Sequence, residues 1–497
     1  MSEPSDNLKL GVARTIKWNV IDRVASQILY AVTGIVLANV LSREEFGLVG
    51  MILVIQAFAS LFVDSGFSSA LIQAKAPSRR DYSTVLWFNL AMATMLYIIL
   101  FLAAPLMPDI FKADHRIVSL SRVMFLTFII NASAIVQTNI LMKKMDVKMI
   151  AVSNSIGLIV SAVVGIALAL GGFGAWALVW QSITLAAIKS GILWLTCGWT
   201  PEFYFSGESL GRFFKVGSGV MISSFLNTVF VNIAPFFIGN RVGMTAMGYY
   251  SQADKWSKMP SASLSQVLTS SFLPALTKVR DDESRFHASL AKMNRFTSYL
   301  VFPAMGLLVV LAEPIFHFLF RTKWDGAIPL FQILCLRGIF TVFISLYNNF
   351  ILTLGRSKLL IYTEIARDVA AIAAIVVTLP YITLSTETEV TLGLKIFLWG
   401  QLVASAVTWA LTLWLTARVT GHHVRYFIIE MTPYLVLSAL AMTATLSCTL
   451  IDTTNLLRII AGLAAGALIY LGVSYLLGSK IQRDVLEYIT GPRDRRQ

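Results

Sequence analysis

Residues 82–106 read YSTVLWFNLAMATMLYIILFLAAPL and contain no charged side chain. An α-helix of this length crosses the hydrocarbon core of a bilayer, which is about 30 Å thick. Similar apolar stretches, separated by polar clusters, recur from residue 16 to residue 477. The 497-residue chain is 56% hydrophobic and only 13% charged, with a mean hydropathy of +0.72. Because no soluble fold hides so much apolar surface, the sequence predicts an all-α polytopic membrane protein.

The spacing of the apolar stretches predicts about fourteen transmembrane helices. The connections are short, and the longest of them, residues 277–292, is expected to be a charged loop. The expected spans are 14–41, 46–74, 82–106, 117–142, 150–170, 174–198, 212–238, 244–276, 293–312, 326–355, 358–380, 392–417, 426–450 and 456–478.

Basic residues are concentrated in alternate connections and in the C-terminal tail. The positive-inside rule therefore places both termini in the cytoplasm, with the first helix retained as a signal anchor. The net charge of +13 sets this orientation and is not read as a nucleic-acid surface. The basic residues of the inside connections and tail include Lys75, Arg79, Arg80, Lys143, Lys144, Lys148, Lys278, Arg280, Arg285, Arg356, Lys358, Arg418, Arg425, Lys480, Arg483 and Arg493.

The sequence contains no catalytic signature. It has no phosphate-binding loop, no G-x-S-x-G elbow and no clustered His and Cys ligands. Cys197, Cys335 and Cys448 lie in separate apolar segments, where we expect small buried side chains and no disulfide. We therefore expect no enzyme activity, no catalytic residue, no metal site and no cofactor.

An internal repeat relates the two halves of the chain. A shift of 201 residues aligns Asn39 with Asn240 and Gly47 with Gly248 without a gap. This register superimposes the first two expected helices on the seventh and eighth.

Polar stripes run along the same helices in both halves. They have two interpretations: the stripes line a water-filled cavity between the halves, which we favour, or they form hydrogen bonds between helices. The stripes consist of Asn19, Asp22, Arg23, Ser26, Gln27, Tyr30 and Thr33; Gln56, Ser60, Asp64 and Ser68; Ser223, Ser224, Asn227 and Thr228; and Ser257, Ser261, Ser265 and Thr269.

Cations outnumber acids among the charges placed deep in the expected helices. Arg or Lys beside hydroxyl and amide groups is the chemistry that holds a diphosphate and a sugar. Structural pairing is the alternative, since Asp254 can reach Lys258 four residues further on. The candidate substrate-binding residues are Arg23, Lys258, Arg337, Gln27, Asn227 and Asn348.

Acidic groups in the helices are candidates for coupling transport to a proton or sodium gradient. Asp64 is the leading candidate, because its own helix has no basic residue three or four positions away. Glu364 and Asp368 are weaker candidates, because Arg367 can neutralise either of them. The alternative for Asp64 is a structural ion pair with a cation such as Arg23.

Several segments resemble a known family. The run FLPALTKVRDDESRFHASLAKMNRFTSYLVFPAMGLLVVLAEPIFHFLF from Phe272, followed by Lys323-Trp324 and PLFQILCL, resembles the polysaccharide exporters of the multidrug/oligosaccharidyl-lipid/polysaccharide superfamily, in particular the colanic-acid-exporter-like members. LSREEFG at 41–47, DSGFSSALIQ at 64–73 and LTLGRSK at 352–358 are similar to the same group. One departure is the pair Arg321-Thr322, where these exporters more often have a glycine.

The resemblance implies a transporter with two pseudo-symmetric six-helix lobes, residues 1–200 and 201–420, and two trailing helices with a basic tail, residues 421–497. It implies that a lipid-linked oligosaccharide on a polyprenyl diphosphate is flipped from the cytoplasmic to the periplasmic leaflet by alternating access. A polysaccharide polymerase is a potential partner. Two alternatives stay open, namely an ion-coupled drug exporter of the same superfamily and a membrane glycan polymerase or ligase, which would need a large periplasmic loop.

Overall fold

A computed structural model describes residues 4–64, 67–74, 77–280, 282–356, 358–382, 387–479 and 481–482. These residues form α-helices joined by short turns, and they contain no β-strand. The helices are α1 (Pro4–Val40), α2 (Arg43–Asp64), α3 (Phe67–Gln73), α4 (Arg79–Ala103), α5 (Met107–Phe111), α6 (Arg116–Met124), α7 (Leu126–Lys143), α8 (Val147–Leu170), α9 (Trp176–Cys197), α10 (Gly207–Val242), α11 (Met244–Val279), α12 (Glu283–Val310), α13 (Ala312–Phe320), α14 (Ile328–Thr353), α15 (Lys358–Thr378), α16 (Glu387–Thr420), α17 (Val424–Thr449) and α18 (Asn455–Leu476).

The predicted all-α membrane fold is confirmed. Ten helical stretches in the described part of the chain are long and apolar enough to cross a membrane. Within them, side chains such as Leu102, Leu195 and Leu468 are largely exposed on the protein surface, where a bilayer would cover them. The count of fourteen transmembrane helices stays a prediction.

Several expected single helices are interrupted. The apolar stretch 82–106 belongs to α4, which ends at Ala103 and continues as a 3-10 turn, Ala104–Leu106, before α5. Pro105 and Pro108 explain this break, because proline has no amide hydrogen to continue the helical ladder. The expected helix 117–142 is likewise divided at Phe125 into α6 and α7.

The prediction of a loop at residues 277–292 was wrong. Helix α11 continues to Val279, and α12 already begins at Glu283. The Asp282 side chain accepts a hydrogen bond from the backbone N–H of Arg285 at 3.1 Å, so it caps α12. Most of this charged segment is therefore helix, and the connection is only a few residues long.

The chain forms two compact units, Met1–Gly248 and Tyr249–Gln497. In the first unit α10 packs against α2, and α8 packs against α9 and α1. In the second unit α14 packs against α16, and α17 packs against α18 and α12. Compact units need not coincide with repeats in sequence, so the lobe boundaries at residues 200 and 420 stay predictions.

The two repeated helix starts contact each other inside the first unit. A Cβ at Gly47 would overlap the carbonyl oxygen of Met244, and one at Gly248 would overlap that of Arg43. The Thr245 hydroxyl donates a hydrogen bond of 3.1 Å to the Glu44 carboxylate, and these two residues are 201 positions apart. The contact is therefore reciprocal under the shift found in the sequence, and only glycine lets the backbones approach this closely.

The departure at Arg321 has a structural cost. Arg321 ends α13 with φ 55° and ψ −151°, a backbone conformation that glycine adopts without strain. Replacement by glycine, the residue more frequent in the similar exporters, should therefore stabilise the protein by about 1 kcal/mol and raise its melting temperature in detergent.

The matched control is Arg321→Ala, which also removes the charge and the long side chain but keeps the Cβ. It should show no such gain in a thermal unfolding experiment. Equal melting temperatures for Arg321→Gly and Arg321→Ala would contradict the strain interpretation.

Candidate functional site

Arg23 and Gln27 lie one turn apart on α1, in the first unit, and both are half-buried. The Arg23 Nε atom is shielded from solvent and has no hydrogen-bond partner among the described residues. On the opposite face of α1, Val24 and Ile28 are more than half exposed, as expected for a lipid-facing surface. Among these four residues, the polar side chains are therefore more buried than the apolar ones.

The polar stripes of the first unit form hydrogen bonds between helices. The Gln56 amide on α2 donates to the Thr127 hydroxyl on α7 at 2.7 Å. The Asn139 amide, also on α7, donates to the Ser68 hydroxyl on α3 at 3.0 Å. The interhelical interpretation therefore holds for these stripe residues.

The equivalent stripe of the second unit behaves in the same way. On α11, Thr269 accepts a hydrogen bond from the Asn349 amide at 2.9 Å and lies 3.4 Å from the Ser345 hydroxyl, and both partners belong to α14. Further along, Ser261 is buried against Gly338, where a Cβ would lie 3.2 Å from the Ser261 Cβ. The stripe of α11 therefore faces α14.

This packing brings two of the predicted cations to the same level of the second unit. Lys258 precedes Ser261 by one turn on α11, and Arg337 precedes Gly338 on α14. Lys258 is in an ion pair with Asp254 at 2.6 Å, so the structural alternative holds for it. Arg337 is half-buried and forms no ion pair in the part of the chain that the structure describes.

Tyr250 is a neighbour of this cluster that the sequence reasoning missed. It is almost completely buried, and its hydroxyl lies near the Asp254 carboxylate and the Arg337 guanidinium. Its position four residues before Asp254, on the same helical face, was the available signal. Arg337 therefore lies close to a buried tyrosine and to the ion pair of Asp254 and Lys258.

The acidic candidates on α15 form a compact ion-pair group. Arg367 lies 2.5 Å from the Glu364 carboxylate and 3.2 Å from that of Asp368, which is only 8% exposed. The Thr363 hydroxyl donates to the Asn348 side-chain oxygen at 3.3 Å, so Asn348 is also bonded within the second unit. These contacts pair Glu364 and Asp368 with Arg367, and the role of the two acids in ion coupling stays a prediction.

Two of the predicted site residues cannot be placed. The backbone of Asp64 ends α2, and Asn227 lies within α10. Their side chains lie outside the described part of the structure, so their roles stay predictions. No group of three or more His, Cys, Asp or Glu residues able to hold a metal ion occurs among the described residues.

The helical fold, with ten stretches long and apolar enough to cross a membrane, is that of a polytopic membrane protein. The sequence profile of the family described as polysaccharide biosynthesis protein matches residues 36–329. The chain therefore belongs to this family, and the predicted resemblance is confirmed.

Two curated relatives are named for polysaccharide synthesis and transport. The succinoglycan biosynthesis transport protein ExoT of Rhizobium meliloti (strain 1021) is 28% identical over 75% of this chain and 75% of its own length. The lipopolysaccharide biosynthesis protein WzxC of Escherichia coli (strain K12) is 25% identical over 65% of this chain and 66% of its own. The name of the first relative agrees with the predicted transporter.

Two solved structures share the fold. The lipid II flippase MurJ in an inward closed conformation superposes with a TM-score of 0.74 at 15% identity, covering 95% of this chain and 100% of that chain. An inward-facing multidrug resistance MATE family transporter of the MOP superfamily gives a TM-score of 0.60 at 16% identity, covering 81% and 99%. The predicted superfamily fold is thereby confirmed.

The ion-pair group of α15 generates a prediction. Arg367→Gln leaves the buried Asp368 carboxylate without its cation, which should cost about 2 kcal/mol of stability and lower the melting temperature in detergent. Adding Asp368→Asn should recover much of the loss, because the uncompensated charge is then removed.

Arg285→Gln serves as the control, because its partner Asp282 is exposed and the pair lies at the start of α12. This variant should leave the melting temperature unchanged. If Arg367→Gln is as stable as the parent, the Asp368 carboxylate does not depend on Arg367 for its stability.

Proposed function

We propose that the protein is a flippase that moves an oligosaccharide linked to polyprenyl diphosphate from the cytoplasmic to the periplasmic leaflet. The product would serve exopolysaccharide, capsule or O-antigen synthesis. Family membership and relatives named for polysaccharide transport and lipopolysaccharide synthesis support this proposal. The shared fold with a lipid II flippase is in keeping with it.

The observation that carries the proposal is the state of two guanidinium groups. Arg23 in the first unit and Arg337 in the second are half-buried, and neither has a carboxylate partner among the described residues. Removing a cation from water is unfavourable unless it has a counter-charge. A diphosphate supplies that counter-charge and accepts the bidentate hydrogen bonds that arginine donates.

We further propose that transport follows alternating access. A site that opens to one side and then to the other lets the polar diphosphate and glycan cross while the lipid tail remains in the bilayer. Net export then needs a gradient or removal of the product. Asp64 stays our candidate for coupling to a proton or sodium gradient, and a periplasmic polymerase would remove the product.

The orientation of the chain is part of the same proposal. The basic connections favour cytoplasmic termini, and the membrane would be a bacterial inner membrane.

A drug exporter is the second candidate, because the MATE fold is shared. An exporter of cationic drugs needs an available carboxylate. The deep acids that the structure describes are occupied: Asp254 pairs with Lys258, and Glu364 and Asp368 share one arginine. The charge pattern therefore favours an anionic substrate.

The proposal is tested by neutralising Arg337. In a strain that lacks the endogenous gene, Arg337→Gln should reduce polysaccharide export tenfold or more, since a charge-assisted hydrogen bond contributes about 1.5 to 3 kcal/mol. Arg337→Lys should retain part of the activity, because it keeps the charge but loses the planar fork. Membrane levels of each variant are measured in parallel.

Arg418→Gln is the control, since Arg418 lies exposed in the last turn of α16, above the Trp414 ring. It should export at the parental rate. Undiminished export by Arg337→Gln at normal membrane levels would exclude Arg337 from substrate binding.

A further inference from the structure

A basic cavity of about 330 Å³ lies in the first unit, away from Arg23 and Gln27. It is formed where α4 begins, α7 ends and the chain leaves α9. At about 30 Å³ per water molecule it has room for about ten waters, enough for a phosphate-bearing head group. Its lining includes Arg79, Tyr82, Lys143, Lys144 and Trp199.

Hydrogen bonds fix the walls of this cavity. The Arg79 guanidinium donates to the Thr200 carbonyl at 3.0 and 3.1 Å and to the Thr200 hydroxyl at 2.7 Å. The Asp81 carboxylate accepts hydrogen bonds from Ser209 and Arg212, each at 2.7 Å. Residues 198–206, which connect α9 and α10, are therefore held against the start of α4. A preformed site loses little entropy when a ligand binds.

The cavity has more positive than negative charge. Arg79 and Arg80 share a single carboxylate, Glu202, at 3.6 and 3.7 Å. Lys143 donates to the carbonyl oxygens of Leu71 and Ala74, which do not neutralise it. Lys144 is exposed and has no ion pair within the described ranges.

Trp199 provides a second, independent indication of a ligand. Its indole Nε1 is shielded from solvent and finds no hydrogen-bond acceptor among the residues that the structure describes. Its ring lines the cavity and packs edge-on against Tyr82, with centroids 6.2 Å apart. A shielded donor without an acceptor is costly, so an acceptor atom supplied by a ligand would satisfy it.

The surroundings of the cavity indicate a lipid. Phe203 is 98% exposed and stacks on Trp87, with centroids 5.3 Å apart. The Trp87 indole donates to the Glu202 carbonyl at 2.9 Å, and the Arg80 guanidinium lies over the Tyr204 ring at 4.7 Å. Aromatic side chains exposed in this way are typical of the membrane interface, at the level of the lipid head groups. The mouth of the cavity therefore lies where lipid phosphates lie.

We propose that this cavity binds the phosphate group of a membrane lipid. Lys144 and the available N–H groups of Arg79 attract the anion, and the Trp199 indole N–H donates to a phosphate oxygen. Basic pockets between transmembrane helices bind anionic head groups by this chemistry. The phosphate can come from a bulk anionic phospholipid or from a polyprenyl diphosphate, and the site does not depend on the proposed transport activity.

The test uses the full-length protein, stripped of lipid in detergent, and native mass spectrometry of bound lipid. The probes are phosphatidylglycerol, undecaprenyl diphosphate and phosphatidylcholine, which carries no net charge. We expect one or both anionic lipids to be retained in preference to phosphatidylcholine. Lys144→Gln and Trp199→Phe should each weaken that binding by about fivefold.

Lys112→Gln is the matched control, since Lys112 is an exposed lysine beyond the other end of α4, just after α5. It should bind lipid as the parent does. If phosphatidylglycerol is retained and both site variants retain it less, the site binds bulk lipid. If only undecaprenyl diphosphate is retained, the site binds the carrier lipid. Equal retention of charged and uncharged lipids, unchanged in both variants, would overturn the site. Because binding is measured without transport, failure here and failure of the proposed flippase activity are distinguishable.

Discussion

The constraint on which the structure depends is the inability of hydrocarbon to form hydrogen bonds. Every backbone N–H and C=O inside the bilayer must find its partner within the chain, and the described residues meet this demand with helices. Polar side chains on those helices obey the same rule. Gln56 bonds to Thr127 across two helices of the first unit, and Thr269 bonds to Asn349 across two helices of the second. These stripe residues are therefore part of the packing.

The functional proposal rests on charged side chains that lack such a partner. Some of the deep charges have a partner: Lys258 has Asp254, and Arg367 has two carboxylates. Arg23 and Arg337 have none among the described residues. Membership of the polysaccharide biosynthesis family gives these unpaired cations a chemical interpretation, since its curated relatives are named for polysaccharide transport and lipopolysaccharide synthesis. In our proposal, an anionic carrier head group supplies the counter-charge that each of these arginines lacks.

Much of this fold could be predicted from the sequence, because hydropathy and helical periodicity are local properties of the chain. The ion pair of Asp254 and Lys258 was equally predictable, since residues four apart on a helix are neighbours. Periodicity could not decide whether a polar stripe faces water or another helix, because both arrangements need the same spacing. The break after Ala103 also escaped the hydropathy pattern, although Pro105 signals it.

Ion pairs between residues distant in sequence could not be predicted from the sequence. The Asp81 carboxylate meets Arg212, and Arg295 meets Glu430 at 2.8 Å, but no spacing rule connects either pair. The reciprocal contact at Gly47 and Gly248 is an intermediate case. The repeat aligned these two glycines, and the structure explains why both positions require the smallest side chain.

The central claim is that this chain alone moves a lipid-linked diphosphate oligosaccharide between leaflets. The most direct measurement uses liposomes that contain only the purified protein and a fluorescent, undecaprenyl-diphosphate-linked oligosaccharide in both leaflets. An impermeant reductant then bleaches the molecules that reach the outer leaflet. The account predicts that bleaching proceeds beyond the outer-leaflet fraction with the parent protein, and that Arg337→Gln slows this second phase tenfold or more. An inner-leaflet pool that stays protected, with and without an imposed proton or sodium gradient, would contradict it.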